Sequence, residues 1–245
     1  MFRKFNALVI PTAILTTLLL MGTIVIPAIA ATNGAKILPP SLNKYIGVKW
    51  WKWAFSFPRD ESPLTDATGE RCDKGLQGKT FFLAGVAGPI ADPAHTERIC
   101  STPIDHNKII TFPVLNAACL LGDVCLHPGE PVTDIKELKR QVKEQVDAVG
   151  TVEAEVDHKS IDLTKARVQS PLFRVNVAED NPFDQPPDFP TPPGNFIGFA
   201  DGYWVSIQPS SLSVGPHEIH FKGTVPVGNG FPDFVLDVTY HITIT

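Results

Sequence analysis

The chain has no run of Lys and Arg of the kind that follows a phosphate backbone. Its densest basic stretch, Lys136 to Lys143, alternates with acids, which excludes nucleic acid as a partner. It also lacks a fixed-period repeat, which excludes propellers and solenoids. Charged residues make up only 19% against 43% hydrophobic, too apolar for disorder. Several catalytic frames are missing as well. There is no G-x-S-x-G, and Ser41-Leu42-Asn43-Lys44 matches S-x-x-K without a companion K-T-G. Asp66-Ala67-Thr68-Gly69 carries one residue too many for an aspartic-protease turn, and His217-Glu218-Ile219-His220 is not H-E-x-x-H. No catalytic signature remains.

Proline, by contrast, is abundant. The 23 prolines in 245 residues are about 9%, against an average near 5%, and with 18 glycines they favour short strands and loops over a helical bundle.

The first thirty residues read as a signal peptide. Arg3 and Lys4 precede an uncharged, mostly apolar run from Ala7 to Ile26, and Ala28-Ile29-Ala30 offers a small-x-small cleavage site. Cleavage before Ala31 gives a secreted or periplasmic protein. The alternative is an uncleaved anchor, the only route by which a membrane enters this reading. Cleavage removes two positive charges and no negative ones, so the mature chain is more acidic than the −5 of the whole.

All four cysteines, Cys72, Cys100, Cys119 and Cys125, follow that segment. An even count in an exported chain implies two disulfides with three possible connectivities. Nearest-neighbour pairing, Cys72 with Cys100 and Cys119 with Cys125, is the expectation. Loops of those lengths contribute roughly 3.6 and 2.4 kcal/mol on the chain-entropy account. A metal site at Cys119, Cys125 and His127 is the rival.

Residues 31 to 40 read as a linker. Leu42, Ile46, Trp50, Trp53 and Phe57 recur at helical spacing, so a helix is expected over about 42–56, with Ser41 as N-cap, Gly47 as a weak point and Pro58 as its end; the alternative is a strand with Trp51, Trp53, Phe55 and Phe57 on one face. Lys79–Ala84 and Lys108–Leu115 read as strands, with Pro113 placing the second at an edge. Between Asp134 and Val149 the stripe Ile135, Leu138, Val142, Val146, Val149 predicts an inserted amphipathic helix that Gly150 stops. Period-two alternation returns in Thr151–Val156, Phe173–Val177 and the last fifty residues, where Phe234, Leu236, Val238, Tyr240, Ile242 and Ile244 face one way. Residues 179–195, with six prolines and four acids, read as an extended surface loop. The expected fold is a mostly β, antiparallel β-sandwich with an N-terminal helix, one inserted helix and two disulfides, occupying 41–245 as one domain.

Several motifs occur in a shared order. They are Trp51-Lys52-Trp53, Ser62-Pro63-Leu64-Thr65-Asp66 with Cys72, Phe81-Phe82-Leu83-Ala84-Gly85, Arg98 with Cys100, Phe112-Pro113-Val114-Leu115-Asn116, Gly202-Tyr203-Trp204-Val205 and Asp237-Val238-Thr239-Tyr240. Together they resemble a group of uncharacterised exported microbial proteins over most of the mature chain. The resemblance implies an exported domain and no chemistry, and it implies that Cys72 and Cys100 pair.

Candidate sites are few. Trp51 lies off the helical stripe and Trp204 alternates out of register with Tyr203 and Val205, so either indole can stack on a sugar ring or anchor a protein contact, or else cover the second face of a sheet. Glu218 and His220 share a strand face, and His241 joins them if the last strands pair, a donor set suited to zinc or copper. Asp180, Asp184 and Asp188 offer hard oxygens to calcium without a D-x-D-x-D-G frame. No cofactor is required. The sequence thus supports a non-catalytic binding or surface-interaction module for an extracellular glycan or protein. The alternative is a metal-dependent or carboxylate-based hydrolase acting on carbohydrate.

Overall fold

A computed structural model describes residues 34–87, 95–226 and 233–245. The expected signal segment and cleavage site lie outside these residues. The chain runs through helix α1 (Pro40–Ala54) and strands β1 (Leu76–Gln77), β2 (Thr80–Phe82), β3 (Thr96–Ile99) and β4 (Ile109–Leu120) to helix α2 (Ile135–Asp147). Strands β5 (Thr151–Val156), β6 (Lys159–Ser160), β7 (Arg167–Gln169), β8 (Phe173–Val177), β9 (Gly194–Ile207), β10 (Gly215–Val225) and β11 (Phe234–Ile244) follow.

The strands form two sheets. The first runs β1-β2-β4-β9-β7, with β8 also on β9; the second runs β3-β11-β10-β5-β6. The fold is mostly β with two helices, as the alternation implies. Two pairs, β2 with β4 and β3 with β11, are parallel. The inner faces meet through Phe112, Val205 and Ile207 of the first sheet and Ile219, Phe221, Val238 and Tyr240 of the second, all buried. Phe112 stacks on Phe221 at 4.9 Å between centroids. Arg98 is buried in the same region, donating from Nη1 to the Ala84 carbonyl (2.8 Å) and to the Tyr240 hydroxyl (2.6 Å).

Pro113 does not mark an edge. β4 lies inside its sheet between β2 and β9, and the register shifts between Pro113 and Leu115, so a bulge absorbs the missing N–H. The bulge also reverses the alternation, turning Leu115 inward, where its side chain meets Gly223 of the facing sheet.

The two helices cover different surfaces. Phe199, Asp201, Tyr203, Val205 and Ile207 share one face of β9. Its lower part meets the second sheet, while Phe199 and Cys119 pack on Leu138 and Val142 of α2. Thus α2 lies beside the second sheet and completes that layer. Asp134 caps it by accepting from the N–H groups of Lys136 and Glu137. Asp201, fully buried, accepts from Arg167 Nε (3.1 Å) and Nη2 (2.8 Å), and Arg167 also reaches Asp147 at the end of α2.

Helix α1 covers the opposite face of the first sheet. It starts two residues earlier than expected: Pro39 is the N-cap and Pro40 the first helical residue, a position where the missing N–H is no loss. The buried face also differs from the expected stripe. Leu42 is exposed, and Asn43, Gly47, Trp50, Trp51, Trp53 and Ala54 are buried. The reason is Trp204, whose indole carbons would lie 3.1 Å from any Cβ at Gly47. Glycine is what lets the helix approach this indole.

Both disulfides pair nearest neighbours, Cys72 with Cys100 and Cys119 with Cys125. The thiols of Cys119 and Cys125 are therefore not available to a metal with His127. Disulfides suit an oxidising extracellular environment. Among the described residues no helix is long and apolar enough to cross a membrane.

Candidate functional site

The three tryptophans of α1 are placed differently. Trp50 Nε1 donates to the Leu83 carbonyl (3.0 Å) and Trp53 Nε1 to that of Lys74 (2.7 Å). Trp51 Nε1 is out of reach of solvent and meets no acceptor. An unpaired buried N–H of this kind costs about 1–3 kcal/mol, and it calls for an explanation.

Trp51 lines a cleft of ≈ 300 Å³ that it shares with Phe55, Phe183, Phe189, Leu120, Asp123, Gln185 and Thr191. Its ring stacks on Phe55 at 5.4 Å and tilts against Phe183 at 5.6 Å. Two walls come from regular elements, α1 and the end of β4. The third comes from the proline-rich segment 179–195, which is not simply an extended surface loop. Asn181 is fully buried there, donating to the Thr191 carbonyl (2.8 Å) and accepting from the Phe183 N–H (3.0 Å). Arg59 ties it from outside, donating to the carbonyl of Asp184 (2.7 Å). Phe183 and Phe189 are carried inward as a consequence, and both stay partly exposed.

The polar side of the cleft is built around Thr191. Its hydroxyl donates to Asp123 Oδ2 (3.1 Å) and its N–H to Asp184 Oδ1 (2.8 Å), so one residue spans two carboxylates. Burial pushes the Asp123 carboxyl up to about 6 from its ordinary 3.8. Hydrogen bonds from Thr191 and the Val124 N–H oppose this, and the charge of Asp184 adds to it.

Trp204 is also buried, at 3%, and belongs to the packing between α1 and the first sheet. It offers no free face to a ligand. The two tryptophans proposed from sequence therefore separate: Trp51 borders a cleft and Trp204 does not.

The metal trio separates too. Glu218 stands opposite His241 in the β10–β11 register, with Glu218 Oε2 3.8 Å from His241 Nδ1. His241 Nε2 turns to Glu97 of β3 at 2.7 Å. His220 stands opposite Thr239 and turns the other way, to Asp237 Oδ1 at 3.0 Å. Glu218, His220 and His241 share the open face of the second sheet but form two groups. Burial works to raise the Asp237 carboxyl, but hydrogen bonds from Lys222, His95 and His220 outweigh it and hold it down to about 2. His217 faces inward, between Asp157 Oδ2 and the Ser213 carbonyl, each at 2.8 Å. The calcium trio does not converge either, because Asp180 faces Arg59 while Asp184 is turned to Thr191.

Sequence reasoning missed Asp123, Thr191, Phe183 and Phe189. A signal was present, in two phenylalanines inside a proline-rich acidic segment that a purely solvated loop does not need. No family model, curated protein or solved structure matches the chain.

Proposed function

We propose that this is an exported, non-catalytic binding module, released by signal cleavage, whose ligand site is the cleft beside Trp51 and whose ligand is a neutral sugar ring. The observation that carries this reading is the cleft's composition. Four aromatic rings line it, with the Asp123 carboxyl, the Thr191 hydroxyl and the Gln185 amide on one side. An apolar ring wall with a few convergent polar groups is what a pyranose requires, since its C–H face stacks and its hydroxyls need partners. The unpaired Trp51 Nε1 supplies a donor for a ring hydroxyl once the side chains packed over it shift aside.

The test is tryptophan fluorescence and a glycan array with the mature protein, using neutral mono- and oligosaccharides. Saturable binding that Phe189→Ala weakens by about tenfold, or roughly 1.4 kcal/mol, supports the reading. Phe189 is half-exposed, so the fold survives its loss. Absence of any bound glycan at millimolar concentration removes it.

One observation favours a hydrolytic second reading. A carboxyl raised to about 6 beside a second carboxylate is the arrangement of a general acid and its partner. Release of reducing ends from a bound oligosaccharide, abolished by Asp123→Asn, would replace the binding reading with that one.

A further inference from the structure

We infer that His95, His220 and Asp237 form a binding site for one divalent transition-metal ion of the zinc and copper class, on the open face of the second sheet and independent of the Trp51 cleft. Among the described residues this is the group whose metal-ligating atoms lie within 4.8 Å of one another. His95 Nδ1 is 2.7 Å and His220 Nε2 3.0 Å from the same oxygen, Asp237 Oδ1. The ring centroids are 5.8 Å apart. Around a tetrahedral zinc with bonds near 2.0–2.1 Å, ligand atoms stand about 3.3 Å from one another. The two imidazole nitrogens thus need to draw back from Asp237 Oδ1 by roughly 0.3–0.6 Å, which small rotations of partly exposed side chains provide.

The chemistry of the set selects the ion. Two imidazoles and one carboxylate suit zinc or copper, whereas calcium and magnesium prefer oxygen alone. Three protein ligands leave a position open to solvent. The other carboxylate oxygen, Oδ2, is already occupied by Lys222 Nζ at 2.8 Å. That contact orients Asp237 so that Oδ1 faces both rings, the supporting role that outer partners of metal ligands usually play. Register explains why this set and not the sequence-derived one converges. Lys222 stands directly opposite Asp237, His220 lies on the diagonal two residues along, and His95 enters just ahead of β3 on the far side of β11. His241, by contrast, is already engaged by Glu97 and Glu218.

The experiment is isothermal titration of the chelator-treated full chain with zinc chloride, and with cobalt(II) as a visible-absorption probe. One ion per chain is expected, with nitrogen-ligand cobalt bands. His95→Ala and His220→Ala should each weaken zinc by more than about tenfold, while His241→Ala leaves it unchanged. Metal-free melting curves of the three variants show whether each keeps its fold, and Asp237→Asn gives a near-isosteric fourth variant. No saturable zinc binding by the unaltered chain overturns the assignment. So does a loss from His241→Ala equal to that from His220→Ala.

Discussion

The two outer faces of the sandwich are made from similar alternating strands yet have opposite characters. On the first sheet, α1 seals the outer face with Trp50, Trp51 and Trp53 against Phe82, Phe173 and Trp204. On the second, the outer face carries Glu218, His220, Lys222, Asp237 and His241, and no helix among the described residues lies over it. A covered face is energetically committed, because each side chain there has been taken out of water and has apolar partners. An open face has partners that water can replace. The consequence is a division of labour. Stability concentrates under α1, while the open side is free to vary its ionic chemistry.

The largest effect that tests this contrast comes from Trp204→Ala. It empties the space that Gly47 was shaped to meet and removes the indole against which Trp50 packs at 5.6 Å. A loss of about 3–5 kcal/mol in urea unfolding is expected. A loss below about 1 kcal/mol would show that α1 is an ornament on an already stable sandwich.

Asp123 sits where the covered face opens into its cleft, and it makes stability depend on pH. The folded chain holds its proton up to about pH 6, the unfolded chain only to about 3.8. Below about pH 4 both states are protonated and the group contributes no difference. As pH rises from about 4 to 6 the unfolded chain is favoured by its release of the proton, so stability falls, by up to roughly 3 kcal/mol. Asp123→Asn cannot ionise and should flatten this decline. Urea midpoints at pH 4.5 and 7 measure it, and a decline identical in the variant would place the titration elsewhere.

What the sequence disclosed follows the range of the forces involved. The alternation of β11 and the apolar stripe of α2 are local periods, so they survive without knowledge of neighbours. The disulfides are equally local, pairing each cysteine with the next. The buried face of α1 is not local. It is fixed by Trp204, far along the chain, and a helical wheel centred on Leu42 and Ile46 cannot see that indole. The cleft is harder still, since Asp123, Phe183 and Thr191 meet only after the proline-rich segment is pinned by Asn181 and Arg59. On the open face, period-two alternation put Glu218 and His220 on one strand face, and the register of β10 with β11 brings His241 to the same face. The diagonal that joins His220 to Asp237, and the approach of His95 from beyond β11, depend on the strand order and not on any local period.

The smallest effect belongs to the open face itself. His241 lies between Glu97 Oε1 at 2.7 Å and Glu218 Oε2 at 3.8 Å, and about two-fifths of its side chain is in solvent. The first of these contacts is short, so distance alone would rank it as a strong one. Exposure decides otherwise, because water and salt screen both carboxylates and stand in for the imidazole when it is removed. In metal-free protein His241→Ala should therefore change stability by less than about 1 kcal/mol, and the difference should shrink as salt rises from about 0.05 to 0.5 M. Thermal or urea unfolding at the two salt concentrations reads this directly. A loss of several kcal/mol that persists in high salt would mean that the open face is closed in solution by something that excludes water, and the contrast between the two faces would fall.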